Sequence, residues 1–162
     1  AERLSAMRRV RGLSFAACAA LLLTACAGAP QRPAAPSAGD GARIAYNALA
    51  QIGRPYRYGG TTPQHGFDCS GLVQYAIARA GFGHVPRTVA QQYRAARRVA
   101  LDALRPGDVL FFHFSRARPT HDAIYIGNHQ FVHAPSSGGK VRRSSLENPY
   151  WRRHLLAAGR LR

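Results

Sequence analysis

The chain is predicted to fold as an α+β domain, with helices first and an antiparallel sheet after them. Three observations carry that prediction. Apolar residues recur at helical spacing through the first half of the folded part, then give way to four-residue strand-like runs. Short glycine and proline turns separate those runs. The length left after a leader and a tether, residues 40–162, suits one domain with one core.

The leader fixes the compartment. From Met7, the expected start, Arg8, Arg9 and Arg11 precede an apolar run over residues 13–23, which ends in Thr24-Ala25-Cys26. A positive start, a short apolar middle and small residues before the cut make residues 1–25 a secretory signal. The run falls short of the about 20 residues that span a bilayer. Residues 1–6 precede that start and have no assignment. Leu23-Thr24-Ala25-Cys26 resembles a bacterial lipobox, which implies that Cys26 is acylated and becomes the new N-terminus. An ordinary signal peptide, with Cys26 left as a spare thiol, is the alternative. Ala27 in place of Asp after the cysteine resembles enteric lipoproteins of the outer membrane. The expected location is therefore the periplasm-facing leaflet of a Gram-negative outer membrane. Residues 26–39, with Pro30, Pro33 and Pro36 among small residues, form a tether.

The folded elements follow in order. Ile44, Ala48 and Ile52 share a helical face over residues 41–51, with Asp40 as a possible N-cap and Gly53 as a stop. A second helix over residues 68–80 sets Leu72, Val73, Ala76, Ile77 and Ala80 on one face, and Gly81 ends it. Residues 88–96 give a third, shorter helix. Strands are expected at residues 109–112, 123–126 and 130–133, with Pro106-Gly107-Asp108 and Gly127-Asn128 as turns. Residues 141–144 and 155–161 add two edge strands.

The charge is lopsided, at +16 for the chain. Without Arg3, Arg8, Arg9, Arg11 and Glu2, the processed form keeps 19 of 23 basic and 6 of 7 acidic residues, net +13. Export and the scatter of the arginines argue against a nucleic-acid partner. Anionic headgroups and an acidic wall polymer are the candidate attractors, and a high-arginine background explains the charge equally well.

With Cys18 and Cys26 in the leader or at its end, Cys69 is the one free thiol of the folded part. In an oxidising compartment such a thiol points to nucleophilic catalysis. If Asp68 caps the second helix, Cys69 sits beside first-turn N–H groups that favour thiolate over thiol. The N–H of Cys69 or Ser70 is then free to stabilise an oxyanion. The competing role is a small buried hydrophobe. His121 and His133 weigh against it. They lie symmetrically about residue 127, so a tight turn there makes them a cross-strand pair on one face. A relay follows in which Cys69 attacks, His121 carries the proton and His133 orients it. His129 is about 13 Å from His133 along the strand, too far to join them. His65, His84, His113 and His154 read as loop or strand-end residues. A zinc site of Cys69, His121 and His133 is conceivable, but no short-spaced ligand pair supports it.

These motifs occur together in one order. Pro55-Tyr56-Arg57-Tyr58-Gly59-Gly60, Phe67-Asp68-Cys69-Ser70-Gly71, Pro86-Arg87-Thr88 with Gln91, Pro106-Gly107-Asp108, His121 in HDAIYIG and His133 in FVHA follow one another along the chain. In this the sequence resembles the NlpC-type cell-wall endopeptidases, a papain-like cysteine peptidase family, and looks closest to its short, Spr-like murein endopeptidase lipoproteins. The resemblance implies that Cys69, His121 and His133 are a catalytic triad and that Tyr56 lines the oxyanion site. It implies that Asp68, Ser70 and Arg87 shape the substrate pocket, while Tyr58 packs. It also implies a peptidoglycan substrate, cleaved at stem or cross-link bonds involving D-glutamate or meso-diaminopimelate, with no metal or cofactor. A wall-binding lipoprotein of weak activity and a thioester-based acyl or amide transferase are the alternatives. Asp122 departs from the pattern, because the family carries an apolar, core-facing residue after the histidine. Either that strand end is exposed, or Asp122 pairs with Arg116 or Arg118; an electrostatic effect on His121 is a further expectation.

Overall fold

The structure, a computed structural model, describes residues 38–115, 118–137 and 139–162. The expected leader, Cys18, the Cys26 lipidation site, the tether as far as Ser37, and Arg116 lie outside the described residues.

The chain runs α1 (Ala38–Leu49), β1 (Thr61–Thr62), β2 (Gly66–Phe67), α2 (Cys69–Arg79), α3 (Val89–Ala95) and β3 (Arg97–Val99). It continues β4 (Val109–Phe112), β5 (His121–Gly127), β6 (Gln130–His133), β7 (Arg142–Ser145), α4 (Pro149–His154) and β8 (Leu155–Arg160). β1 and β2 pair with each other as a separate ribbon, and the remaining strands form one antiparallel sheet in the order β3-β8-β4-β5-β6-β7. The predicted α+β class, with helices packed on an antiparallel sheet, is what the chain adopts.

Both faces of the sheet are covered, which is why β4 reads as an unbroken apolar run. On one face, Val109, Phe111, Ile124 and Val132 pack against Ile44 of α1 and Leu72, Val73 and Ile77 of α2. On the other, Leu110, Phe112, Ala123 and Phe131 pack against Trp151 of α4. Burying one such large side chain contributes about 1.5–3 kcal/mol.

The differences from expectation have local causes. α1 starts at Ala38, so Asp40 lies in its first turn, bonded to Arg43 at 3.0 Å, and does not cap it. α1 also ends at Leu49, which leaves Ile52 44% exposed in the turns leading to Gly53. β8 is not an edge. Its Ala158 and Gly159 sit between β3 and β4, and a Cβ on Gly159 would overlap Ala96 Cβ. The ribbon β1–β2, the arginine-rich β3 and α4 carry too short or too polar a pattern to be seen by periodicity. α4 did have a start signal, with Asn148 capping at Tyr150 N and Pro149 at the first helical position.

Candidate active site

α2 begins with a cap that also builds the site. Asp68 Oδ1 accepts from the Gly71 N–H at 2.7 Å, closing the first turn with Cys69 at its head. The other oxygen accepts from the Gly59 N–H at 2.9 Å, which pins the Tyr56–Gly60 loop over the helix start. That loop lies so close that a Cβ on Gly71 would overlap the Gly60 carbonyl. Arg87 completes the frame with a bidentate pair to Asp68 at 2.6 and 3.1 Å and a bond to Ser70 Oγ at 3.0 Å. The buried Gln92 of α3, not singled out from sequence, donates to the carbonyls of Ser70 and Pro86 at 3.0 and 2.8 Å. Asp68, Ser70 and Arg87 thus sit together on one wall beside Cys69.

That wall belongs to a cleft of about 490 Å³, which Tyr56, Tyr58 and Thr120 also line. Tyr58 is 90% exposed at its rim, so it does not pack as expected. Burial first, then Cys69, Asp68 and Tyr58, raise the pKa of Tyr56 and keep its phenol a donor.

His121 and His133 meet, though not by the expected register. Ile124 pairs with Val132 and Tyr125 with Phe131, which places His133 across from Ala123, so the two histidines are diagonal neighbours. The cause is the hairpin end. Asn128 and His129, with φ of 50° and 58°, form a two-residue turn of the primed kind, and a bulge falls between Tyr125 and Gly127. A shift of two residues keeps the face, and aromatic side chains span the diagonal. His121 Nε2 and His133 Nδ1 are 2.9 Å apart, and His133 Nε2 is 3.0 Å from Ser144 Oγ on β7. Trp151 stands edge-on to His133, with ring centroids 4.8 Å apart, and walls in the pair. Ser144 and Trp151 were not legible as site residues, because a serine in a polar strand and a lone tryptophan carry no local signal.

Of the two proton assignments that satisfy this line, one leaves His121 able to act as a base. His121 Nε2–H donates to His133 Nδ1, and His133 Nε2–H donates to Ser144. Nδ1 of His121 is then the nitrogen left to take a thiol proton. Burial holds His121 down to about 4, and burial, then His121 and Arg142, lower His133, so both rings are neutral near pH 7. The two histidines spend their facing nitrogens on each other instead of converging on one ion.

Cys69 does not have the thiolate-favouring balance expected of a helix start. Burial, then the Asp122 charge, push the thiol well up, while the backbone N–H groups of Asp122 and Ser70 pull it down. Burial wins, because desolvation penalises the anion more than two dipoles stabilise it. Asp122 is not at an exposed strand end, and among the described residues no arginine, Arg118 included, is bonded to it; Arg116 lies outside them. Asp122 is fully buried, and neither oxygen has a hydrogen-bond partner among the described residues. It leaves β5 on the face opposite His121, beside its neighbour Phe111 and toward Cys69.

A second cavity, about 290 Å³, is lined by His121 with Phe114, Ser136, Arg142, Tyr150 and Trp151. Cys69 thus lines the first cavity and His121 the second. A thiol, a neutral imidazole and an orienting histidine in this order are the parts of an acyl-transfer site.

Fold and site together define an α+β domain with a free cysteine at a helix start and a buried histidine pair on its sheet. The chain belongs to the NlpC/P60 family, whose model matches residues 53–160. It is similar to the probable endopeptidase YafL of Escherichia coli, with 46% identity over 68% of this chain and 46% of that protein. It is also similar to the murein DD-endopeptidase MepH of the same organism, with 40% identity over 74% of this chain and 45% of MepH. Among solved structures, the peptidoglycan hydrolase RipB of Mycobacterium tuberculosis matches with a TM-score of 0.66 and 30% identity, over 80% of this chain and 68% of RipB. The chain spans a little under half the length of YafL and MepH.

Proposed function

We propose that this protein is a peptidoglycan endopeptidase that uses Cys69 to hydrolyse stem or cross-link peptide bonds involving D-glutamate or meso-diaminopimelate. It works from the periplasmic face of the outer membrane, held there by lipid on Cys26. The observations that carry the reading are the line His121–His133–Ser144 and the backbone N–H of Asp122, the residue after His121, hydrogen-bonded to the Cys69 sulfur at the start of β5. Relatives named as murein and peptidoglycan endopeptidases support the substrate class.

The acyl part of the substrate lies in the cleft beside Cys69, with Tyr56 and the Ser70 N–H near the developing oxyanion. His121 Nδ1 takes the thiol proton as sulfur attacks the carbonyl, and the imidazolium then protonates the departing amine. That amine must sit over His121, so the leaving segment extends into the second cavity. There Arg142 faces a carboxylate, and Phe114 and Tyr150 face aliphatic carbons. Water, activated by His121, releases the thioester.

Mass spectrometry of muropeptides incubated with the protein and with Cys69→Ala tests this. New fragments from the wild type alone support a cysteine endopeptidase, and their masses name the bond. The upward push on the Cys69 thiol favours a second reading, a wall-binding protein of weak activity. That reading gains if substrate stays intact in both samples while the protein still binds it.

A further inference from the structure

Asp122 is a buried carboxyl group for which the proposed relay has no use. The group it faces is the Cys69 thiol, near enough to share a proton but not aligned as a formed hydrogen bond in the resting structure. Two other charges act on it from a greater distance with opposite signs. These are Asp68, just before α2, and Arg87, from the segment leading to α3. Phe111, its partner on β4, offers no donor. His121 is next in sequence but leaves the strand on the other face.

An isolated carboxylate cannot be kept in such a place cheaply, and burial accordingly pushes Asp122 up to about 8. Near neutral pH it is mainly a carboxylic acid, and so a hydrogen-bond donor. The relay needs such a donor. A base held at about 4 must accept a proton from a thiol pushed far upward, which is an uphill transfer.

We propose that Asp122 acts in its acid form as the donor that holds the Cys69 thiolate, and that ionisation of Asp122 turns the nucleophile off. The S–H bond breaks and its proton passes to His121 Nδ1. Asp122 keeps its own proton and points it at the sulfur, as O–H donating to S⁻. When the thioester hydrolyses, His121 returns the proton and Asp122 is unchanged. A carboxylate in the same place repels the thiolate. This inference rests on Cys69 as the nucleophile, but its test needs no peptidoglycan and is read separately from hydrolysis.

The test is the rate of Cys69 alkylation by iodoacetamide in the full chain from pH 5 to 10. Peptide mass spectrometry separates Cys69 from Cys18 and Cys26. An isolated thiol reacts faster as pH rises. The wild-type Cys69 rate is expected to level off or fall above about pH 8. Asp122→Asn keeps a donor that cannot ionise, so its rate stays within about threefold of wild type at pH 7 and climbs without a break. Asp122→Val loses the donor, and reacts about tenfold more slowly at pH 7, as expected for a thiol pKa raised by about one unit. A wild-type rate that climbs smoothly through pH 8 to 10 overturns the proposal without any variant. So does the same pH profile in wild type and Asp122→Asn, or an Asp122→Val protein that is folded and matches wild type at pH 7.

Discussion

Asp108 and Asp122 are both wholly buried in one sheet, one just before β4 and the other in β5, yet they are treated in opposite ways. Asp108 accepts from Arg160 at 2.6 and 2.7 Å and from the Arg105 N–H at 2.9 Å, with the Arg162 guanidinium 3.6 Å away. It clamps the end of β8 to the turn that opens β4. The Asp122 carboxyl has no hydrogen-bond partner among the described residues and faces the Cys69 thiol. A buried charge that the fold uses is paired, whereas one left unpaired beside a thiol costs stability and is available for chemistry. Asp68 stands between the two, paired with Arg87 and capping α2 at the edge of the cleft.

The largest expected effect is on the paired side. Asp108→Ala leaves the mostly buried Arg160 and Arg162 without their carboxylate, and should lower the unfolding free energy by about 3–5 kcal/mol in urea titrations. A loss below about 1 kcal/mol would put Asp108 with exposed pairs and end the comparison.

The unpaired side should show in pH. Asp122 has a native pKa of about 8 against an ordinary 3.8, so the native protein holds a proton that the unfolded chain releases between those values. Its contribution to stability therefore falls as pH rises from about 4 to about 8 and is constant above, a change of a few kcal/mol. His121 and His133, both lowered from 6.5, push the other way below that pH. The difference between wild type and Asp122→Asn isolates the carboxyl group and should slope downward over this window. A flat difference would mean that Asp122 has an ordinary carboxylate pKa. Asp122→Val should sharpen the contrast in sign, raising stability at pH 8 by about 1–3 kcal/mol where Asp108→Ala lowers it. Chemical denaturation of the two variants side by side checks this.

What was legible in the sequence divides along the same line. α2 and its thiol were legible because their causes are local: an Asp68 cap, an apolar face from Leu72 to Ala80, and Gly81, at φ 91°, beyond the end. The pairing of His121 with His133 was legible by face but not by register, since a bulge and a primed turn at Asn128-His129 moved the partners by two without exchanging sides. β8 was misplaced to an edge, because its small residues carry no sign of the neighbours they admit. The protonation of Cys69 was not legible, since it depends on burial and on Asp122 from a strand more than fifty residues later. Ser144 and Trp151 reach the histidines only through tertiary pairing.

The histidine line gives the smallest and most discriminating test. Unlike Asp122, His133 has a partner at each nitrogen, His121 at 2.9 Å and Ser144 at 3.0 Å. Ser144 is only half-buried, so in Ser144→Ala a water can replace the hydroxyl and keep His133 in its tautomer. Losing one such bond contributes about 0.5–1.5 kcal/mol, so kcat should fall about two- to tenfold with KM unchanged. The pH profile should keep its alkaline limb, since Asp122 sets that limb from the other face of β5. If Ser144→Ala moved the alkaline limb as well, the two faces of the strand would be coupled through His121, and the division between a partnered relay and an unpartnered acid would have to be abandoned. If only kcat moves, the relay orients the base, the buried acid governs the sulfur, and the strand that separates them keeps the two effects independent.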